Sequence, residues 1–119
     1  MKKAMRDFGE LERRVRRFRD ERDWNQFHKP KDLALSVAIE AAELLEHFQW
    51  LTEQQSQNLS PEKREAVGAE IADVLLYLIQ LANALGIDPI AAAQDKLKLN
   101  AVKYPANLAR GSSKKYDAL

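Results

Sequence analysis

An all-α fold, an antiparallel bundle of about four helices assembled as a homo-oligomer, is the architecture the sequence predicts, and three observations lead there. Apolar residues recur at helical spacing along most of the chain. The four glycines and four prolines fall where helices should begin or end. Two of the segments so marked are apolar nearly all the way round. The length of 119 residues fits a single domain over residues 1–119.

The first helix runs from about Arg6 to Arg22, with Phe8, Leu11, Val15, Phe18 and Arg22 on its apolar pattern. Trp24-Asn25-Gln26-Phe27-His28-Lys29-Pro30 breaks that pattern and reads as a loop, because Pro30 disfavours helix in the residue before it. A second helix is expected from Asp32, its N-cap, to Leu51, followed by a polar loop over Thr52 to Leu59. Ser60-Pro61-Glu62 supplies a cap, a first-turn proline and an acid at the positive end of the helix dipole. The third helix then extends to Leu85 and stops at Gly86. Asp88-Pro89 opens a fourth, reaching Lys98 or a little beyond, and the tail from Tyr104 reads as irregular.

Composition excludes several classes of function. Nineteen Lys and Arg against 18 Asp and Glu leave a net charge of +1, too little for a nucleic-acid binder held by bulk electrostatics. There is no cysteine, hence no disulfide framework or thiolate chemistry, and a reducing cytoplasm is the expected compartment. No stretch approaches the roughly 18 consecutive apolar residues of a membrane span, and Met1 to Arg14 lacks a signal-peptide core, so no membrane partner is expected.

In the second helix Leu33, Val37, Leu44, Phe48 and Leu51 form one stripe, with Leu35, Ile39 and Leu45 off it. In the third, Ile71, Val74, Leu75, Leu78, Leu81 and Leu85 form a stripe, with Leu76 and Ile79 outside. Helices apolar on several faces need cover on several faces, which one short chain does not supply. A second copy of the chain is the expected cover.

Inside these two apolar helices sit two acid pairs, Glu40 with Glu43 and Glu70 with Asp73. The i, i+3 spacing projects each pair from one face, a turn apart. Like charges so placed repel and are costly to desolvate, and a hard divalent cation is the simplest compensation. Four carboxylates without a thiolate suit Mg²⁺, with Mn²⁺ as a substitute, rather than zinc. A ferritin-like di-iron site would need Glu-x-x-His on two helices. Leu44 stands three before His47, and the third helix has no histidine. A solvated face remains the ordinary reading of one such pair alone.

The same residues carry a family resemblance. Glu40-Ala-Ala-Glu43 with Phe48-Gln49-Trp50, and Glu70-Ile-Ala-Asp73 leading to Tyr77, resemble the MazG-like all-α NTP pyrophosphohydrolases, closest to the dCTP pyrophosphatase branch. Arg22-Asp23-Trp24-Asn25-Gln26-Phe27-His28, Lys96 with Asn100, and Lys103-Tyr104-Pro105 extend it over nearly the whole chain. The resemblance implies that Glu40, Glu43, Glu70 and Asp73 are catalytic magnesium ligands. It implies that Trp24, Asn25, Gln26, Phe27, His28 and Trp50 line a base pocket, with Tyr77 against the substrate. Lys96, Asn100, Lys103 and Tyr104 would contact phosphate or sugar. It further implies a nucleoside triphosphate substrate, deoxynucleotide favoured, cut between the α- and β-phosphates for nucleotide-pool cleansing, and a tetramer with pockets between subunits. Val15 stands where some relatives carry a histidine.

From the residues alone, Trp24, Phe27 and Trp50 read rather as core or interface aromatics, His28 as a surface residue and Tyr77 as packing. Lys96, Lys103, Lys114 and Lys115 read as solvated charges. A non-catalytic helical oligomer serving as an interaction or regulatory module would account for the apolar helices too, though not for the paired acids inside them.

Overall fold

A computed structural model describes residues 7–119, which divide into two compact units, residues up to Gly86 and Ile87–Leu119. Six α-helices and a short 3-10 helix make up the regular structure, with no strand among the described residues. In the first unit these are α1 (Phe8–Glu21), α2 (Pro30–Glu46), α3 (Glu53–Gln57) and α4 (Pro61–Ala84). The second holds α5 (Pro89–Lys103), α6 (Ala106–Ala109) and the 3-10 turn Tyr116–Ala118.

Helix starts follow the cap chemistry of the sequence. Asp7 accepts from the Glu10 amide at 2.7 Å, Ser60 from Lys63 at 3.2 Å, and Asp88 from Ile90 and Ala91. Arg6, the expected start of α1, lies outside the described residues. Asp32 is not the cap of α2. Lys29 holds that place without a side-chain bond, Pro30 begins the helix, and Asp32 sits in the first turn, where its charge faces the helix dipole.

Helix ends depart further from expectation. α2 stops at Glu46 rather than Leu51, and residues 47–50 form tight turns in which the amides of His47, Phe48 and Leu51 each bond three residues back. The loop expected over 52–59 contains α3, closed by a capping box in which Thr52 and Gln55 exchange side-chain and backbone bonds. α5 runs on to Lys103, and the tail expected to be irregular contains α6 and the 3-10 turn. α4 ends as read, with Gly86 at φ +67°.

Within the first unit α4 is the common partner, with α2 lying along it and α1 touching it. Arg19 Nη1 donates to Asn83 Oδ1 at 3.1 Å, tying α1 to the last turn of α4. The buried apolar residues are Leu33 of α2 and Val67 and Ile79 of α4. Ile79 corrects the stripe drawn on α4: it lies off that stripe yet is 2% exposed, whereas Ile71, Leu75, Leu78 and Leu85 on the stripe are exposed. A helix apolar on most faces has no periodic signal to say which face meets its neighbour. Leu35, Ile39 and Leu45, the residues off the α2 stripe, are exposed as well. In the second unit no residue is buried, and Leu97, Leu99, Val102 and Leu108 stand exposed.

Leu33→Ala and Ile79→Ala should each lower stability by about 2–5 kcal/mol in urea titrations, the usual result of truncating a buried aliphatic side chain. Gly86→Ala has room for its Cβ, but the backbone is left-handed there. It should cost about 1–2 kcal/mol by conformation alone.

Candidate functional site

Where α2 lies along α4, three acids converge. Glu40 and Glu43, a turn apart on α2, and Glu70 on α4 each offer a carboxylate oxygen, all within 4.8 Å of one another. No Lys or Arg among the described residues is in ion-pair reach of them, since the ion pairs gather around α1. Glu40 Oε2 and Glu70 Oε2 are buried and accept no hydrogen bond. Asp73, one turn beyond Glu70, is exposed and lies outside the group of three, although its charge reaches Glu40. Tyr77 follows a turn later and is half-buried.

The crowding shows in the acid–base behaviour of Glu40, whose carboxyl is pushed up to about 7. The protonated form is favoured first by hydrogen bonding to Glu43, then by burial, by hydrogen bonding to Glu70, and by the negative charges of Glu43 and Asp73. A proton is what such a cluster retains when no cation is bound. Converging hard oxygen donors, two with orphaned buried atoms, fit a divalent cation of the magnesium type. Glu40, Glu43 and Glu70 would hold it, with Asp73 at the edge.

The aromatic residues fall into two sets. Trp24 follows α1 and packs edge-on against Phe18, centroids 5.8 Å apart, and against the His28 ring at 6.1 Å. The Arg22 guanidinium lies 3.6 Å over the Phe18 ring. Phe27 projects, 64% exposed, and His28 Nδ1 is buried without a hydrogen-bond partner. Trp50, 87% exposed, lies past the other end of α2. With 17 residues in that helix, the two sets are separated by roughly 25 Å of helix axis. The two sets therefore flank opposite ends of α2 in the chain.

Sequence reading missed Phe18 and Arg22 as supports of Trp24. Their i, i+4 spacing at the end of α1 was the available signal. An apolar groove of about 210 Å³ also opens between α1 and α4, lined by Arg14, Val15, Phe18, Leu76 and Gln80.

Lys96, Asn100 and Lys103 lie along one face of α5 in the second unit, at spacings of four and three. Tyr104 caps that helix. The Lys103 ammonium is 5.1 Å from the Tyr116 ring centroid, and Tyr104 meets the same ring edge-on at 6.1 Å. Three of the four contact residues read from the sequence thus share a face, and Tyr104 and Lys103 share a partner.

Residues 35–119 match the sequence model of the MazG-like family, and the chain belongs to that family. It is similar to dCTP pyrophosphatase 1 of Homo sapiens, 45% identical over 104 residues that cover 86% of this chain and 61% of that protein. The same protein of Mus musculus is 43% identical over the same shares. The chain thus spans less than two thirds of the length of these relatives. Among solved structures, a pyrophosphatase from Archaeoglobus fulgidus is 40% identical, with a TM-score of 0.78, covering 88% of this chain and 98% of that one.

The Glu40 carboxyl sets a pH dependence. Above its ordinary value of 4.5 the unfolded chain has released this proton, while the folded protein keeps it up to about 7. Raising the pH across that window withdraws a proton that the folded state binds more tightly, so the metal-free protein should melt at lower temperature as pH rises from 4.5 to about 7. Mg²⁺ should raise the melting temperature, and more above pH 7 than below, because proton and cation compete for the same oxygens. Glu40→Gln should remove both responses in the same thermal scans.

Proposed function

We propose that this chain is a magnesium-dependent nucleoside triphosphate pyrophosphohydrolase, cleaving dCTP or a related deoxynucleotide to the monophosphate and pyrophosphate. The observation that carries the reading is the convergence of Glu40, Glu43 and Glu70 from two packed helices without a basic partner. Relatives named dCTP pyrophosphatase 1 and pyrophosphatase support the reaction and the substrate class.

In this reading Glu40, Glu43, Glu70 and Asp73 hold the magnesium, which when bound neutralises charge developing on the triphosphate oxygens. One of these acids orients a water and takes its proton as the water oxygen bonds to the α-phosphorus. The bond from that phosphorus to the bridging oxygen breaks, and pyrophosphate leaves with the electron pair. Glu43 is our choice for the acid that takes the proton. Lys96, Asn100 and Lys103 supply donors along one face of α5 for phosphate or sugar oxygens.

Base recognition, in the same reading, is shared between copies of the chain. Trp24 and Phe27 of one protomer and Trp50 of another enclose the ring, since α2 keeps the two sets apart in a single chain. The exposed apolar residues of α2, α4 and α5 supply the surfaces that associate, and a tetramer is the assembly we expect. Val15, in the apolar groove between α1 and α4, stands where some relatives carry a histidine and so alters polarity there, which leaves the choice of base to the substrate panel.

Pyrophosphate release from the four dNTPs, dUTP, 5-methyl-dCTP and the ribonucleotides, with and without Mg²⁺, is the direct test. Release that requires Mg²⁺ and is greatest for a cytosine deoxynucleotide is expected. Glu43→Gln should lower kcat at least 100-fold, the lower range for loss of general-base catalysis, with its circular dichroism unchanged. An inactive panel would leave the chain as a non-catalytic helical oligomer.

A further inference from the structure

α1 and α4 each give way to a left-handed residue two places past the last helical one, but the residues differ. After Arg22, the last residue of the α1 turn, the Asp23 amide donates to Asp20 O at 3.1 Å and the Trp24 amide to Arg19 O at 3.0 Å. This paired closure requires a left-handed residue directly after the C-cap, a place glycine usually fills. Gly86 takes the left-handed conformation after α4 at φ +67°, whereas after α1 it is Asp23 at φ +53°. Among the described residues Asp23 is the one non-glycine with positive φ.

Aspartate tolerates that conformation better than most residues, but glycine would adopt it freely. What aspartate adds is an acceptor. The Gln26 side-chain amide donates to Asp23 Oδ2 at 3.0 Å and to Asp23 O at 3.1 Å. The Gln26 Nε2 is thereby held by two acceptors of one residue. Inside the ring so closed, Trp24 O accepts from the amides of Phe27 at 2.9 Å and His28 at 3.2 Å. The segment from Asp23 to His28 is a turn bonded to itself at both levels. It holds Phe27 outward against the tendency of an apolar ring to withdraw from water, and it holds Trp24 between Phe18 and His28.

We propose that Asp23 is a positioning residue for nucleotide recognition, clamping Gln26 so that Trp24, Phe27 and His28 are presented as a preformed surface for the base. The inference rests on the pyrophosphohydrolase reading. It also reassigns Gln26 from a reader of the base to a brace of the loop that reads it.

The test combines amide hydrogen exchange at residues 24–28, thermal melting, and steady-state kinetics with dCTP and Mg²⁺. Asp23→Gly should keep or raise the melting temperature, because glycine is the better helix terminator there. It should nonetheless exchange the Phe27 and His28 amides about tenfold faster, with the Trp24 amide unchanged in the helix closure, and raise KM about tenfold with kcat little changed, as when the binding-competent loop falls to about a tenth of the population. Asp23→Asn, which accepts the same bond and tolerates the same φ, should restore both. Gln26→Leu should reproduce the faster exchange, and the double variant Asp23→Gly with Gln26→Leu should be no worse than either single one.

Unchanged exchange and KM in Asp23→Gly would reduce Asp23 to a helix terminator and overturn the proposal. So would additive effects in the double variant. If the wild-type protein releases pyrophosphate from no nucleotide, the reaction assignment falls separately. Exchange in Asp23→Gly then still decides the clamp, faster exchange establishing it and unchanged exchange removing it.

Discussion

Packing α2 on α4 brings apolar side chains and like charges together in one interface, and most of what is particular to this protein follows from that pairing. The contact that buries Leu33, Val67 and Ile79 is also the one that brings Glu40, Glu43 and Glu70 within 4.8 Å of each other. Their repulsion has three outlets: separation of the helices, a proton, or a cation. Separation would uncover the few residues that form the core, at a cost of order 2 kcal/mol or more for each large aliphatic side chain exposed. The proton is the outlet the bare chain takes, at Glu40, up to a pH of about 7. The proposed magnesium is the third, and it draws on the same oxygens.

Exposed apolar surface is the second constraint. Leu35, Ile39 and Leu45 on α2, Ile71 and Leu78 on α4, and Leu97 and Val102 on α5 all face water in the single chain. Scattered apolar residues need no explanation, but runs of them along three helices do. The proposed assembly would cover them with a second copy and would bring Trp50 of one protomer towards Trp24 and Phe27 of another. Stability and base recognition would then both depend on association, so that loss of the assembly would cost more than either site alone suggests.

Starts of the long helices were legible where a side chain does the capping. Ser60-Pro61 and Asp88-Pro89 name their own helices, as does Gly86 the end of α4. The start of α2 was misread because Lys29 caps it without a side-chain bond, and Asp32 looked the better candidate. Its end was misread because His47 to Trp50 keep helical spacing while the backbone tightens into turns. α3 was missed although Thr52-x-x-Gln55 is a capping-box signature, since a five-residue polar helix carries no apolar stripe to draw notice. The end of α1 was legible at Arg22, but the left-handed conformation of Asp23 was not, because glycine is the residue expected there and an aspartate in its place leaves no composition signal.

The sequence by itself determined that the chain is helical and that its acids come in pairs a turn apart on two apolar helices. Both are properties of the local backbone repeat, in which spacing alone decides which residues share a face. Tertiary structure decided which acids meet, with Glu40, Glu43 and Glu70 inside the cluster and Asp73 at its edge. It decided that Ile79 is core while Leu78 is not, and that Trp24 and Trp50 lie at opposite ends of α2. The rotation of one helix about its axis against another is set by the sum of many weak contacts, and on helices apolar nearly all round no periodic pattern singles out one rotation over the next.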